Sequence, residues 1–252
     1  MKKVLNTRQS INHKLLQKVS ESVCECGESN SKSGDYSDYI LGGMEARVNE
    51  FPWIVRLLSL NTTKTRVDID VCGGSLVSQK VVLTAYHCVD TVVEGERRLR
   101  KFNSIPIENS VVVLGAHYID MNKLDSYYTI KIKEAMAPTQ ENDVSKRELH
   151  DFAIVVLVEP AILGASVGII CLPPPAEDYG GKYAVAAGWG VFSTEHGAQS
   201  KVLRKVKLKV KKKSLLENNF IFETEVTRNQ ENQYMDTCIG DSGEIYITMK
   251  VE

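Results

Sequence analysis

The feature that most constrains this chain is a series of short apolar runs rich in β-branched residues: WIVRLL, VVLTAY, VVVLG, FAIVVLV and YAVAAGW. Gly, Pro, Asn or Asp separates them, which is the punctuation expected between strands. In SYYTIKIKE, Tyr128, Ile130 and Ile132 alternate with Thr129, Lys131 and Lys133. That two-residue period belongs to a strand buried on one face. Many short strands with no long amphipathic helix predict an all-β chain, an antiparallel sandwich or barrel. No internal repeat is visible.

Residues 1–39 differ in composition from the rest of the chain. Ile11, Leu15 and Val19 fit one face of a short helix, and ESVCECGESNSKSGDYSDY is polar and acidic, as a linker would be. A boundary near residue 40 is therefore expected. The first twenty residues carry lysines but lack the apolar run of an export signal. The expectation is export by another route, or a start lying upstream. Six cysteines, Cys24, Cys26, Cys72, Cys88, Cys171 and Cys238, show no CxxC spacing. Disulfides in an oxidising compartment are favoured over a zinc site, with free buried thiols as the alternative.

Lys plus Arg number 31 and Asp plus Glu 32, a net charge of −1 that offers no long-range field for nucleic acid or a membrane surface. Charge is local instead. KVLRKVKLKVKKK holds eight basic residues between Lys201 and Lys213, with Val206, Leu208 and Val210 alternating with Lys205, Lys207, Lys209 and Lys211. One reading is a strand with a solvated face whose lysines block edge pairing. The other is a site for an anionic polymer.

Three stretches carry chemistry. A serine hydroxyl is a poor nucleophile unless a base takes its proton and a carboxylate orients that base. LTAYHCV places His87 after a β-rich run, HDFAIVVL places Asp151 at the mouth of another, and CIGDSG sets Ser242 between glycines. With ILGGMEARVNEFPWIVRL, CGGSLVSQKVVLTAYHCV, ICLP and AAGWG in the same order, the chain over roughly residues 40–243 resembles the trypsin and chymotrypsin-like serine proteases.

The resemblance implies two antiparallel Greek-key β-barrels and a secreted, extracellular protein. It casts His87 as general base and then acid, Asp151 as its orienting partner, and Ser242 as nucleophile. The backbone N–H groups of Gly240 and Ser242 become the oxyanion hole. Cys72 and Cys88 match the pair that staples the histidine loop. Residues 1–39 become a pro-segment, cut between Tyr39 and Ile40 on activation and kept tethered afterwards by a disulfide. The new amino group of Ile40 would pair with Asp241. Cys26 matches a propeptide cysteine whose partner corresponds to Cys171. Asp236, six residues before Ser242, matches the base of a pocket for Arg or Lys side chains. Tyr39 departs from the usual basic residue, so the activating protease implied has a chymotrypsin-like preference.

Implied partners are protein or peptide substrates, that activator, and protein protease inhibitors; no cofactor, metal, nucleic acid or membrane is implied. The first barrel is expected over about residues 40–165 and the second over about 166–252. The family continues past its serine with further strands, a Ser-Trp-Gly stretch, a cysteine partner for Cys238 and a closing helix. Because this sequence ends at Glu252, the second barrel is expected to be incomplete, leaving Cys24 and Cys238 without family partners. Glu244 also stands where a glycine usually follows Ser-Gly. The chain is thus open to two functional readings. One is a secreted serine endopeptidase, here as a fragment of the enzyme or complete. The other is a truncated, catalytically inactive homologue acting as a binding or regulatory module.

Overall fold

The computed structural model describes residues 26–30, 44–62, 67–89, 109–119, 127–136, 152–172, 179–190, 200–211, 227–228 and 234–235. Eleven strands run through them: β1 Met44–Glu45, β2 Ile54–Thr62, β3 Val67–Ser78, β4 Val81–Thr84, β5 Ser110–Leu114, β6 Tyr128–Met136, β7 Ala153–Leu157, β8 Tyr183–Gly188, β9 Arg204–Lys209, β10 Thr227–Arg228 and β11 Tyr234–Met235. Helical structure includes a short 3-10 turn, Tyr86–Cys88. The all-β expectation holds, and each of the five β-branched apolar runs lies wholly or largely in a strand.

Six strands close a barrel in the order β2-β3-β4-β7-β6-β5, all pairs antiparallel. Closure follows from the alternation. In β7 the burial pattern places Ala153, Val155 and Leu157 inward, and β6 turns Ile130 and Ile132 inward between exposed lysines. A flat sheet with these faces would leave two open edges, whereas a closed one leaves none. Register shifts between Leu76 and Ser78 and between Ile132 and Glu134 bend the ladder as closure requires. Leu57, Leu76, Val82, Val112, Leu114, Val155 and Leu157 fill the interior.

β3 was not among the predicted runs, because VDIDVCGGSLVS mixes acids and glycines into the strand. Gly74 explains part of that composition. A Cβ there would lie 2.8 Å from Val82 Cγ1 and 3.0 Å from the Leu83 carbonyl oxygen. Only a residue without a side chain lets β3 approach β4 this closely.

A second sheet has the order β1-β9-β8, and β10 pairs β11 as a separate antiparallel ladder. β1 joins this second sheet and not the barrel it precedes: Met44 faces Lys205 and Glu45 faces Arg204. Between barrel and sheet lies a second apolar cluster of Ala46, Phe51, Trp53, Ile54, Ile170, Val185, Trp189 and Leu203. Polar groups stitch the seam. The Trp189 indole N–H donates to the His117 carbonyl at 2.9 Å, the Arg56 guanidinium stands 5.6 Å from the Trp189 ring centre, and His117 Nε2 lies 3.1 Å from Glu45 Oε1.

The basic run requires a correction. Lys205 is not on a solvated face: it is 4% exposed, and its ammonium donates to Glu50 Oε1 at 2.5 Å. Glu50 is fully buried, and its Oε2 accepts the Arg47 backbone N–H at 2.8 Å. Nor is β9 an outer strand where it carries Arg204 and Lys205, since β1 flanks it there and β8 runs along its other side. Edge blocking does not account for these two residues.

Part of the expected linker is also docked. Cys26 is disulfide-bonded to Cys171, with Cα atoms 5.1 Å apart across 145 residues of sequence. Gly27 N–H donates to the Ile169 carbonyl at 2.7 Å. The Ser29 hydroxyl donates to the Glu50 carbonyl at 2.9 Å, and the Asn30 amide donates to Asn49 and Ala165 carbonyls at 2.6 and 3.0 Å. Gly27 has φ +74°, and a Cβ there would meet the Cys171 sulfur at 3.2 Å, which accounts for the glycine after the cysteine.

Candidate active site

The site is built from one end of the barrel. β4 runs out at Thr84, and the chain turns at once into the 3-10 segment Tyr86–Cys88 that contains His87. Three features hold this turn. The Thr84 hydroxyl, fully buried, donates to the Gly73 carbonyl at 2.7 Å. Cys88 N–H donates to the Ala85 carbonyl at 3.2 Å and Val89 N–H to the Tyr86 carbonyl at 2.9 Å. Cys88 is bonded to Cys72 on β3, and both cysteines are buried. A loop closed over 16 residues by a disulfide loses much of its freedom in the unfolded state, by about 3 kcal/mol on the chain-entropy account.

The second participant enters through register. β4 pairs β7 antiparallel, and the last rung joins Thr84 to Ala153. Thr84 stands three residues before His87, and Ala153 two residues after Asp151. Thus the histidine turn leaves the barrel at the end where the chain that follows Asp151 enters it. Asp151 itself lies outside the described residues, as do Asp236, Gly240, Asp241, Ser242, Tyr39 and Ile40. His87 is described through its backbone.

Sequence reasoning missed two supports. Thr84 anchors the end of β4 through Gly73, and nothing in LTAYHCV distinguishes its threonine from any other strand residue. Glu50, which ties the turn before β2 to β9 through Lys205, is preceded in the sequence by no sign of a buried charge; its partner is 155 positions away. Among the described residues no group of three or more His, Cys, Asp or Glu side chains is arranged to hold a metal ion.

The trypsin family model matches residues 40–251. This chain belongs to the trypsin family. Over 173 residues this trypsin-family chain is 32% identical to serine protease SSP1 of Scolopendra subspinipes, covering 69% of the chain and 55% of that protein. It is 28% identical over 214 residues to cathepsin G of Mus musculus, covering 83% of the chain and 72% of that protein. Among solved structures, human heparin binding protein matches with a TM-score of 0.60 at 28% identity, covering 81% of this chain and 78% of that one. The matched regions span 55%, 66% and 54% of three curated relatives, so this trypsin-family chain corresponds to about half to two thirds of their length.

Proposed function

We propose that the chain is a serine endopeptidase of the trypsin type, made as a zymogen. The observation that carries this reading is the Thr84–Ala153 rung, which directs the histidine turn and the approach to Asp151 to one end of the barrel. In this reading His87 takes the proton of the Ser242 hydroxyl as that oxygen attacks the scissile carbonyl, and then gives it to the leaving amine. Asp151 holds the imidazole in the tautomer that can do so and stabilises the imidazolium. The N–H groups of Gly240 and Ser242 meet the oxyanion, where loss of one donor typically lowers the rate by about 100 to 1,000-fold.

Asp236 at the base of the specificity pocket favours Arg or Lys before the cut, because an unpaired cation is costly to bury elsewhere. Residues 1–39 act as the pro-segment and 40–252 as the protease domain, its first barrel over about 40–165 and its second over about 166–252. An activator with chymotrypsin-like preference cuts between Tyr39 and Ile40, and the freed amino group pairs with Asp241. The Cys26–Cys171 bond supports a pro-segment that stays attached after that cut. The two disulfides support a secreted protein. Protein substrates and protein protease inhibitors are its proposed partners, and the relatives named as proteases support the same reading.

A second reading, a catalytically inactive homologue that binds without cutting, is favoured by Glu244 in place of the glycine after Ser-Gly. Active-site labelling separates the two. After cleavage at Tyr39–Ile40, a fluorophosphonate should label the wild-type chain and leave Ser242→Ala unlabelled. Absence of label on the cleaved wild type would remove the enzyme reading and leave the binding one.

A further inference from the structure

The ladder of β8 and β9 carries a charge distribution that the proposed chemistry does not use. The described stretches 179–190 and 200–211 hold seven Lys and Arg residues and no Asp or Glu, in a chain whose net charge is −1. Register turns this composition into a surface. β9 pairs β8 without a shift from Arg204 to Lys209, and hydrogen bonds between Val210 and residues 181–182 carry the pairing one step further. Lys205, Lys207 and Lys209 therefore share one face, and Lys211 continues the same two-residue period, at about 6.7 Å per step.

Along that row the environment changes. Lys205 is buried against Glu50, so its charge is satisfied inside the fold. Lys207 and Lys209 are half-buried and Lys211 is exposed. The Lys207 ammonium stands 4.8 Å from the centre of the Tyr183 ring, which is itself 45% exposed. Such stacking lays the aliphatic stem along the ring and holds the charged end at the surface. Lys182, on the neighbouring strand side, follows Glu177 and Asp178 closely in sequence and is left out of the row.

We propose that the face bearing Lys207, Lys209 and Lys211 binds a sulfated polysaccharide, whose repeating anionic groups meet the three ammonium groups along about 13 Å of strand. Charge complementarity selects a polyanion. Two features select a polysaccharide over nucleic acid. The disulfides place the fold in an oxidising compartment. Tyr183, the one exposed aromatic among the described residues of these strands, already lies under Lys207, so the face offers bases no stacking platform.

The test uses the full chain and heparin as the probe. A K207A/K209A/K211A variant should elute from immobilised heparin at lower salt than wild type. Its slope of log affinity against log salt should be shallower by about 2 to 3, one released counterion per lost contact. A K80A/K131A/K133A variant, which loses the same charge from exposed barrel lysines, should elute with the wild type. Acetylation footprinting of the unmodified wild-type chain avoids any folding defect: heparin should protect Lys207, Lys209 and Lys211 and leave Lys131 and Lys133 reactive. Unchanged elution of the first variant, equal losses in both variants, or uniform protection would overturn the proposal. Duplex DNA binding as tightly as heparin at the same salt would overturn the choice of polysaccharide.

Discussion

Replacing Lys205 by Met removes a cation from a place where its partner cannot reach water. The Glu50 side chain is fully buried and the Lys205 side chain 4% exposed, and their charged atoms meet at 2.5 Å across the seam between the turn before β2 and strand β9. Methionine keeps most of the length of the stem, so packing changes little and the lost term is electrostatic. Breaking a buried pair from one side leaves an uncompensated charge and typically costs about 3–5 kcal/mol. At about 2–4 °C per kcal/mol for a domain of this size, the midpoint of thermal unfolding should fall by about 6–20 °C.

Calorimetry and urea unfolding of the wild type, Lys205→Met, and an exposed control, Lys201→Met, would measure this. The control should move the midpoint by no more than about 2 °C, as surface substitutions do. A double variant, Glu50→Leu with Lys205→Met, should lose less than Lys205→Met alone, because no charge is then stranded; the lost acceptor for the Arg47 N–H alone costs about 1–2 kcal/mol. If Lys205→Met matches the control, or if the two substitutions simply add, the pair is not coupled as described and the reasoning fails.

Purified precursor incubated alone should keep its Tyr39–Ile40 bond, because the proposed Asp236 pocket would select Arg or Lys, while a chymotrypsin-like enzyme should cut it; N-terminal sequencing over time decides, and prompt self-cleavage there would refute the pocket assignment. After such a cut, non-reducing electrophoresis should show residues 1–39 still attached in the wild type and released in Cys171→Ser. Gly74→Ala should destabilise the barrel by about 1–3 kcal/mol in urea titration, since its methyl meets the Leu83 carbonyl oxygen at 3.0 Å and Val82 at 2.8 Å; a neutral result would show that β3 and β4 can separate at no cost. Asn49, at φ 61°, should tolerate Gly within a few tenths of a kcal/mol but lose about 1–2 kcal/mol as Val.

What could be read from the sequence was whatever depends on neighbours along the chain. Alternation in SYYTIKIKE is local, and β6 follows it residue by residue. The same period misplaced Lys205, because its burial is decided by Glu50, a residue 155 positions away that alternation cannot register. β3 escaped for a related reason: Gly73 and Gly74 look like strand breakers until β2 and β4 are laid against them. The order of the His87, Asp151 and Ser242 motifs was legible, yet the rung that brings the first two approaches together pairs Thr84 with Ala153, 69 residues apart, and no spacing rule announces it.

The pairing of β1 with β9 sets a leash. Met44 is held opposite Lys205, so a terminus created by the proposed cut before Ile40 would lie four residues from a paired position. Fully extended, these span at most about 14 Å. Whatever group receives such a terminus must sit inside a sphere of this radius around Met44. Shortening the tether by one residue contracts the searchable volume by more than half, since volume scales as the cube of the radius, without touching either of the groups that must meet.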